Sequence, residues 1–292
     1  MSLSMLRYSS VFVAVLLLLS PSVLLSDSID VTASNAALLE IKGELTQGGV
    51  VRGQLPPGSD IRLDGRNVAQ TPEGYFVFGF GRDADAKATL TWVTLAGETQ
   101  SKVLSVAQRE YRTQYVEGVP QKTVTPAASK LARIRKETAM VKQARATDSQ
   151  QLYFLSKFII PLNGPITGVY GSQRVYNGVP KRPHFGIDYA APTGTPVVAP
   201  ADATVTLAHN DMYYSGGTMI MDHGYGLSST FIHLSEVTVV VGQKVKQGDV
   251  VGKVGAGGRA TGPHLDWRLN WFDVRLDPAL LLSAPTLEGK VP

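Results

Sequence analysis

Between residue 29 and about residue 110 the chain alternates apolar and polar positions in short runs, each closed by a glycine-containing break. Asp60-Ile61-Arg62-Leu63 runs into Asp64-Gly65, Tyr75-Phe76-Val77-Phe78 follows Glu73-Gly74, and Thr89 to Leu95 alternates until Gly97. Successive side chains of a strand point to opposite faces, so this period marks half-buried strands, and Asp-Gly breaks mark hairpins. The spacing predicts a small β-sandwich-like module over 27–112. Around Ser129 the period lengthens: Leu131, Ile134, Thr138 and Val141 share one helical face. Ser129 is placed to cap that helix, and Lys130, Arg133, Arg135, Lys136, Lys142 and Arg145 occupy the rest. A helical connector over 113–157 follows, its basic residues either solvated or turned toward an anionic glycan or membrane surface. From Phe158 to Leu282 the chain returns to apolar strands dense in Gly and Pro. The fold class is therefore mainly β, with a second domain over 158–283 and a short tail over 284–292.

The N-terminus adds a destination. Arg7 precedes an apolar run from Val11 to Leu19, followed by Pro21 and the small residues Ser22 and Ser26. A positive start, a short apolar core and small residues near a cleavage point predict a signal peptide over 1–26. The expectation is export, with the periplasm preferred over secretion; an uncleaved segment would leave the chain membrane-anchored. The formal charge of +4 is far from a nucleic-acid-binding composition and suits an acidic polymer such as a cell wall. The sequence has no cysteine. That excludes disulfides, lipid attachment through a thiol, and thiolate metal sites. Any metal site must be built from histidine and carboxylates.

All five histidines lie in the second β-rich stretch. In His184-Phe185-Gly186-Ile187-Asp188 an extended strand would bring His184 and Asp188 to one face, with Phe185 and Ile187 packed behind. Imidazole with carboxylate is a normal pair of zinc ligands. Thr261-Gly262-Pro263-His264-Leu265-Asp266-Trp267 places His264 and Asp266 on one strand face in the same way. His233, in Thr230-Phe231-Ile232-His233-Leu234-Ser235, has the apolar flanks of a strand end. Each motif alone also fits ordinary surface or structural residues. His223 reads as support for a turn, His209 as a loop residue, and Trp267 and Trp271 as core.

Together the motifs resemble the lysostaphin-type (LytM-like) zinc metalloendopeptidases over residues 160–282. Arg182 to Asp188 looks like that family's HxxxD element, and Thr195-Pro196-Val197-Val198-Ala199-Pro200 like the strand and turn after it. Asp222-His223-Gly224-Tyr225-Gly226-Leu227 leading to His233-Leu234-Ser235 resembles its HGxGL…HLS run. Val241 to Gly252 resembles its glycine-punctuated hairpin. The resemblance implies a peptidase that cleaves peptidoglycan with one zinc ion, His184 and Asp188 as ligands, and His233 and His264 as the catalytic pair. It also implies that Arg174, Tyr176 and Asn177 line the substrate groove, where Arg174 could meet a peptide carboxylate.

The chain departs from the family at one position. The last family motif is HxH, its second histidine a zinc ligand, whereas His264-Leu265-Asp266 puts a carboxylate there. Asp266 can ligate zinc; alternatively His264 binds the metal with Asp266 as base, or the metal is lost. Two carboxylates cancel the ion's formal charge, and a less positive centre acidifies water less, predicting a more basic optimum or slower turnover. The function expected is hydrolysis of peptidoglycan cross-links; the alternative is a catalytically degenerate wall-binding protein or a regulator of another cell-wall hydrolase. The glycine hairpin also resembles a lipoyl or biotinyl carrier, but no lysine sits at the required turn tip. Expected partners are peptidoglycan and other cell-wall hydrolases, not nucleic acid.

Overall fold

Alternation becomes strand through most of the described residues, which are 39–116, 127–176, 178–283 and 287 of a computed structural model. The signal-like segment over 1–26 and Asn177 lie outside them. The first β-rich stretch forms β1 (Glu40–Gly43), β2 (Val50–Gln54), β3 (Asp60–Leu63), β4 (Arg66–Val68), β5 (Tyr75–Gly79), β6 (Lys87–Val93) and β7 (Thr99–Ser105). They make two small sheets, ordered β1-β2-β5 and β4-β3-β6-β7. Along β6 the residues Ala88, Leu90 and Trp92 are buried while their neighbours are not. The Asp64-Gly65 break is a two-residue turn with both φ angles positive, 48° and 80°, closing Leu63 onto Arg66. Such turns match the twist of the strands they join.

The connector opens with a strand, β8 (Thr113–Val116), and continues as α1 (Leu131–Arg145). No side chain caps α1; Ser129 instead lies inside a 3-10 turn over Ala128–Lys130. Met140, Val141 and Ala144 pack α1 on Leu207, Met212 and Ile220 of the main sheet. Its basic residues are not uniformly solvated. Arg133 bonds Glu137 at 2.6 Å and Asp211 at 3.0 Å, and Arg145 turns inward.

The second stretch holds β9 (Ile166–Gly168), β10 (Gln173–Tyr176), β11 (Val179–Pro180), β12 (Ile187–Ala190), β13 (Pro196–Val198), β14 (Ala203–Met212), β15 (Gly216–Gly224), β16 (Leu227–Val237), β17 (Lys244–Val245), β18 (Val250–Val254), β19 (His264–Trp271), β20 (Val274–Leu276) and α2 (Pro278–Ser283). The main sheet runs β17-β14-β15-β16-β19-β12-β9. One face of β19 sends Leu265, Trp267, Leu269 and Trp271 into an apolar core shared with Phe76, Phe78 and Trp92 of the first sheets. Arg52 reinforces that junction from a buried position, donating to the carbonyls of Phe154 at 2.6 Å and Ser156 at 3.1 Å. His209 belongs to β14 rather than to a loop, its Nδ1 accepting from the Asp211 amide at 3.1 Å.

His223 is wholly buried, donating from Nδ1 to the Asp202 carbonyl at 2.9 Å and accepting at Nε2 from the Ser229 hydroxyl at 2.8 Å. Burial pushes its pKa from 6.5 down to about 4. In this interval the unfolded chain takes up a proton that the folded chain refuses. The stability that neutral His223 supports is therefore complete above pH 6.5 and lost as pH falls toward 4, on the order of 3 kcal/mol. Urea denaturation between pH 7 and 4 should show wild type losing about that much more stability than His223→Gln; parallel pH profiles would refute the assignment.

Candidate metal centre

The site lies where β12 and β19 run antiparallel, with Asp188 and Asp266 directly opposite each other. Like charges in that position repel, so the backbone register itself calls for a cation. His264 and Asp266 share the open face of β19, opposite the buried Leu265 and Trp267, as the alternation predicts. His184 is a different case. The strand begins only at Ile187, so His184 reaches the site from a loop, fixed by backbone bonds to Gly171 and Ser172 of 2.8 Å each. Two glycines permit the close approach. A Cβ on Gly168 would lie 2.1 Å from Asp188 Oδ2, and one on Gly186 would lie 2.4 Å from Asp266 Oδ1.

His184 Nε2 is 3.1 Å from Asp188 Oδ1 and 3.3 Å from Asp266 Oδ2. His264 Nε2 is 4.0 Å from Asp188 Oδ1, and the His233 ring centre lies 4.8 Å from that of His264. His233 sits within β16 at a bulge, not at a strand end, with φ of 66° and its amide donating to Ser215. The three imidazoles are held alike. Nδ1 of His184 faces the Val169 carbonyl at 3.2 Å, that of His233 the Gly257 carbonyl at 2.7 Å, and that of His264 the Gly262 carbonyl at 2.8 Å. A carbonyl only accepts, so each bond places a proton on Nδ1 and leaves Nε2 for the site.

Burial alone depresses His184, but Asp188 and Asp266 outweigh it and raise its pKa to about 10. Burial pushes His233 down against the pull of the Gly257 carbonyl. Burial would raise Asp266, yet Arg268 and His184 hold it well below the usual carboxylate range. Arg268 forks onto Asp266, with Nε 2.9 Å from Oδ1 and Nη2 2.5 Å from Oδ2.

The residues fit a metal ion. One ligand atom from each of His184, Asp188 and Asp266 can be chosen so that all lie within 4.8 Å of one another. Asp188 Oδ1 is buried without a properly oriented hydrogen-bond donor, which an ion would satisfy. One nitrogen and two oxygens are a donor set zinc accepts. Arg268 changes the expected charge. Its guanidinium offsets the second carboxylate, so zinc with Asp188, Asp266 and Arg268 sums to the same formal +1 as a centre with one carboxylate and two imidazoles. The basis for a more basic optimum is thereby removed. Arg268 was legible in the sequence, two residues beyond Asp266 and hence on the same strand face.

Arg174 is exposed on β10, its Nε 3.3 Å from Gln114 Oε1 of the parallel strand β8. The backbone of Tyr176 ends β10, and Asn177 lies outside the described residues. Trp267 and Trp271 are core residues, as their alternation implies.

Residues 182–278 match the model of Peptidase family M23. The chain is 41% identical over 87 residues to the peptidoglycan DD-endopeptidase ShyA of Vibrio cholerae, covering 30% of this chain and 20% of that protein. It is 45% identical over 107 residues to the DD-carboxypeptidase/endopeptidase Mpg of Neisseria meningitidis, covering 37% and 24%. The chain thus spans a quarter or less of the length of these curated relatives. A crystal structure described as a peptidase M23 from Pseudomonas aeruginosa matches with a TM-score of 0.64 and 29% identity. That likeness covers 82% of this chain and 95% of the other, extending beyond the family match.

Proposed function

We propose that the chain is a zinc-dependent endopeptidase hydrolysing peptide cross-links of bacterial peptidoglycan outside the cytoplasm. The reading rests on the match to Peptidase family M23 over residues 182–278 and on one observation above all. His184, His233 and His264 each hold Nδ1 toward a backbone carbonyl, and Nε2 of His184 and of His264 lies 3.1 and 4.0 Å from the buried Asp188 Oδ1. His184, Asp188 and Asp266 would hold one zinc ion, with Arg268 keeping Asp266 ionised and oriented. When bound, the ion would supply Lewis acidity to polarise the scissile carbonyl. His233 and His264 lie beside that cluster with basic Nε2 atoms, suited to accept a proton and return it to the leaving amine. The lowered pKa of His233 keeps it neutral at neutral pH, with Nε2 free to accept a proton.

The test combines zinc analysis with digestion of purified peptidoglycan and mass spectrometry of the products. The zinc-loaded chain should release muropeptides with new amino termini and no new reducing sugar ends. His233→Ala should keep its zinc and lose about 10²–10⁴-fold in rate; loss of zinc in that variant would make His233 a ligand instead. The Arg268 fork favours one alternative, a wall-binding or regulatory protein, because it already occupies Asp266. No zinc uptake by wild type, with retained peptidoglycan binding, would select it. Association with other cell-wall hydrolases and an exported, periplasmic location belong to either proposal.

A further inference from the structure

The face of the sheet that carries the metal cluster continues under α1 as a cleft of about 830 Å³. The cleft and the cluster are contiguous. Arg268 lines the cleft while gripping Asp266, Phe185 follows His184, and Ile232 stands opposite Asp266 and precedes His233. Ile134, Val141 and Phe272 give it apolar walls. Its polar side is unbalanced. Arg145, Arg182 and Arg275 line it, and none of the three has an acidic partner among the described residues. The cleft's own acids are already used: Glu137 binds Arg133 and the Tyr213 amide, and Asp273 binds Arg66. Arg145 donates from Nη2 to Thr230 at 3.0 Å, but its Nε is shielded from solvent with no acceptor. Arg275 donates to Asn270 at 3.3 Å, and both Arg275 and Arg182 lie over the Phe185 ring.

A guanidinium left buried without an acceptor is costly. Burial and the charges of Arg275, Arg268 and Arg182 all depress Arg145. Three forked cations converging on an apolar-walled cleft have the chemistry of a carboxylate receptor. We propose that this cleft binds a carboxylate carried by a peptide lying across the metal centre, with Arg145, Arg182 and Arg275 as its ligands. The carboxylate is either a peptide C-terminus or an acidic side chain. The proposal takes only the carrier's identity from the peptidase reading, and carboxylate binding can be measured without turnover.

The experiment is calorimetric titration of the full chain, stripped of metal, with three probes: N-acetyl-Ala-Ala as free acid, the same dipeptide as amide, and N-acetylglutamate α-amide. At least one acid should bind tenfold or more tighter than the amide, and which acid does so identifies the source. The preference should vanish in Arg145→Gln and Arg275→Gln while both variants still take up zinc like wild type. Should these fold poorly, Arg182→Gln, at an exposed position, is expected to weaken the preference at least threefold. Equal binding of acids and amide, or a preference that survives every variant, overturns the proposal. A carboxylate preference in a chain that fails to cleave peptidoglycan would uphold the site and remove the peptidase reading alone.

Discussion

Asp188→Ala is expected to abolish zinc binding and lower peptidoglycan cleavage by about 10³-fold or more. A bound metal supplies several kcal/mol of transition-state charge stabilisation, and each 1.36 kcal/mol is tenfold in rate. Asp188 is more exposed to this loss than its partner across the strands. Asp266 is braced by Arg268 through three contacts of 2.5–3.1 Å, whereas Asp188 Oδ1 has beside it the His184 ring nitrogen at 3.1 Å, a candidate ligand of the same ion. With His184 ligating the ion rather than donating, the Asp188 carboxylate depends on the ion for satisfaction. Zinc per chain by plasma mass spectrometry, paired with muropeptide release, checks the result. An Asp188→Ala protein that kept one zinc and normal turnover would show that the ion sits elsewhere.

Trp267→Ala is expected to destabilise the fold by about 4 kcal/mol, the range for truncating a buried large aromatic side chain. Trp267 is fully buried, sets its ring edge-on to Phe231 at 6.4 Å, and donates its indole N–H to Ser229 at 3.2 Å. Truncation opens a cavity behind β19 and strips the Ser229 hydroxyl of that donor. For a chain of this size the melting temperature should fall by roughly 8–16 °C, measurable by calorimetry. A fall under about 3 °C would mean that the core collapses readily around the gap.

Much of this was legible in the chain. The period of two over Leu265, Trp267, Leu269 and Trp271 places His264, Asp266 and Arg268 on the opposite face, and the structure agrees. The Asp64-Gly65 hairpin was legible for the same local reasons. β15 was not, because both of its faces are covered and all nine residues are buried, leaving no alternation to read. His184 and Asp188 do converge, but a loop held by Gly171 and Ser172 brings them together, not a strand face. Backbone pairing between residues twelve or more apart leaves no local mark in sequence. Arg145 was legible yet easily misread. It continues the helical face of Ile134, Thr138 and Val141, although its charge suggests solvent.

The carbonyls that fix His233 and His264 belong to Gly257 and Gly262, both in the loop between β18 and β19. Peptide oxygens carry no side-chain identity, so the acceptors are sensitive to substitution where a Cβ would meet backbone: at Gly255, 2.4 Å from the Ser235 nitrogen, at Gly257, 3.0 Å from Gly216 Cα, and at Gly258, 2.4 Å from the Tyr214 oxygen. A change in the loop's length goes further, since one deleted residue would move both acceptors together. Over residues 255–263, then, selection would act on chain length and on three glycines, and a single indel could silence two bases at once.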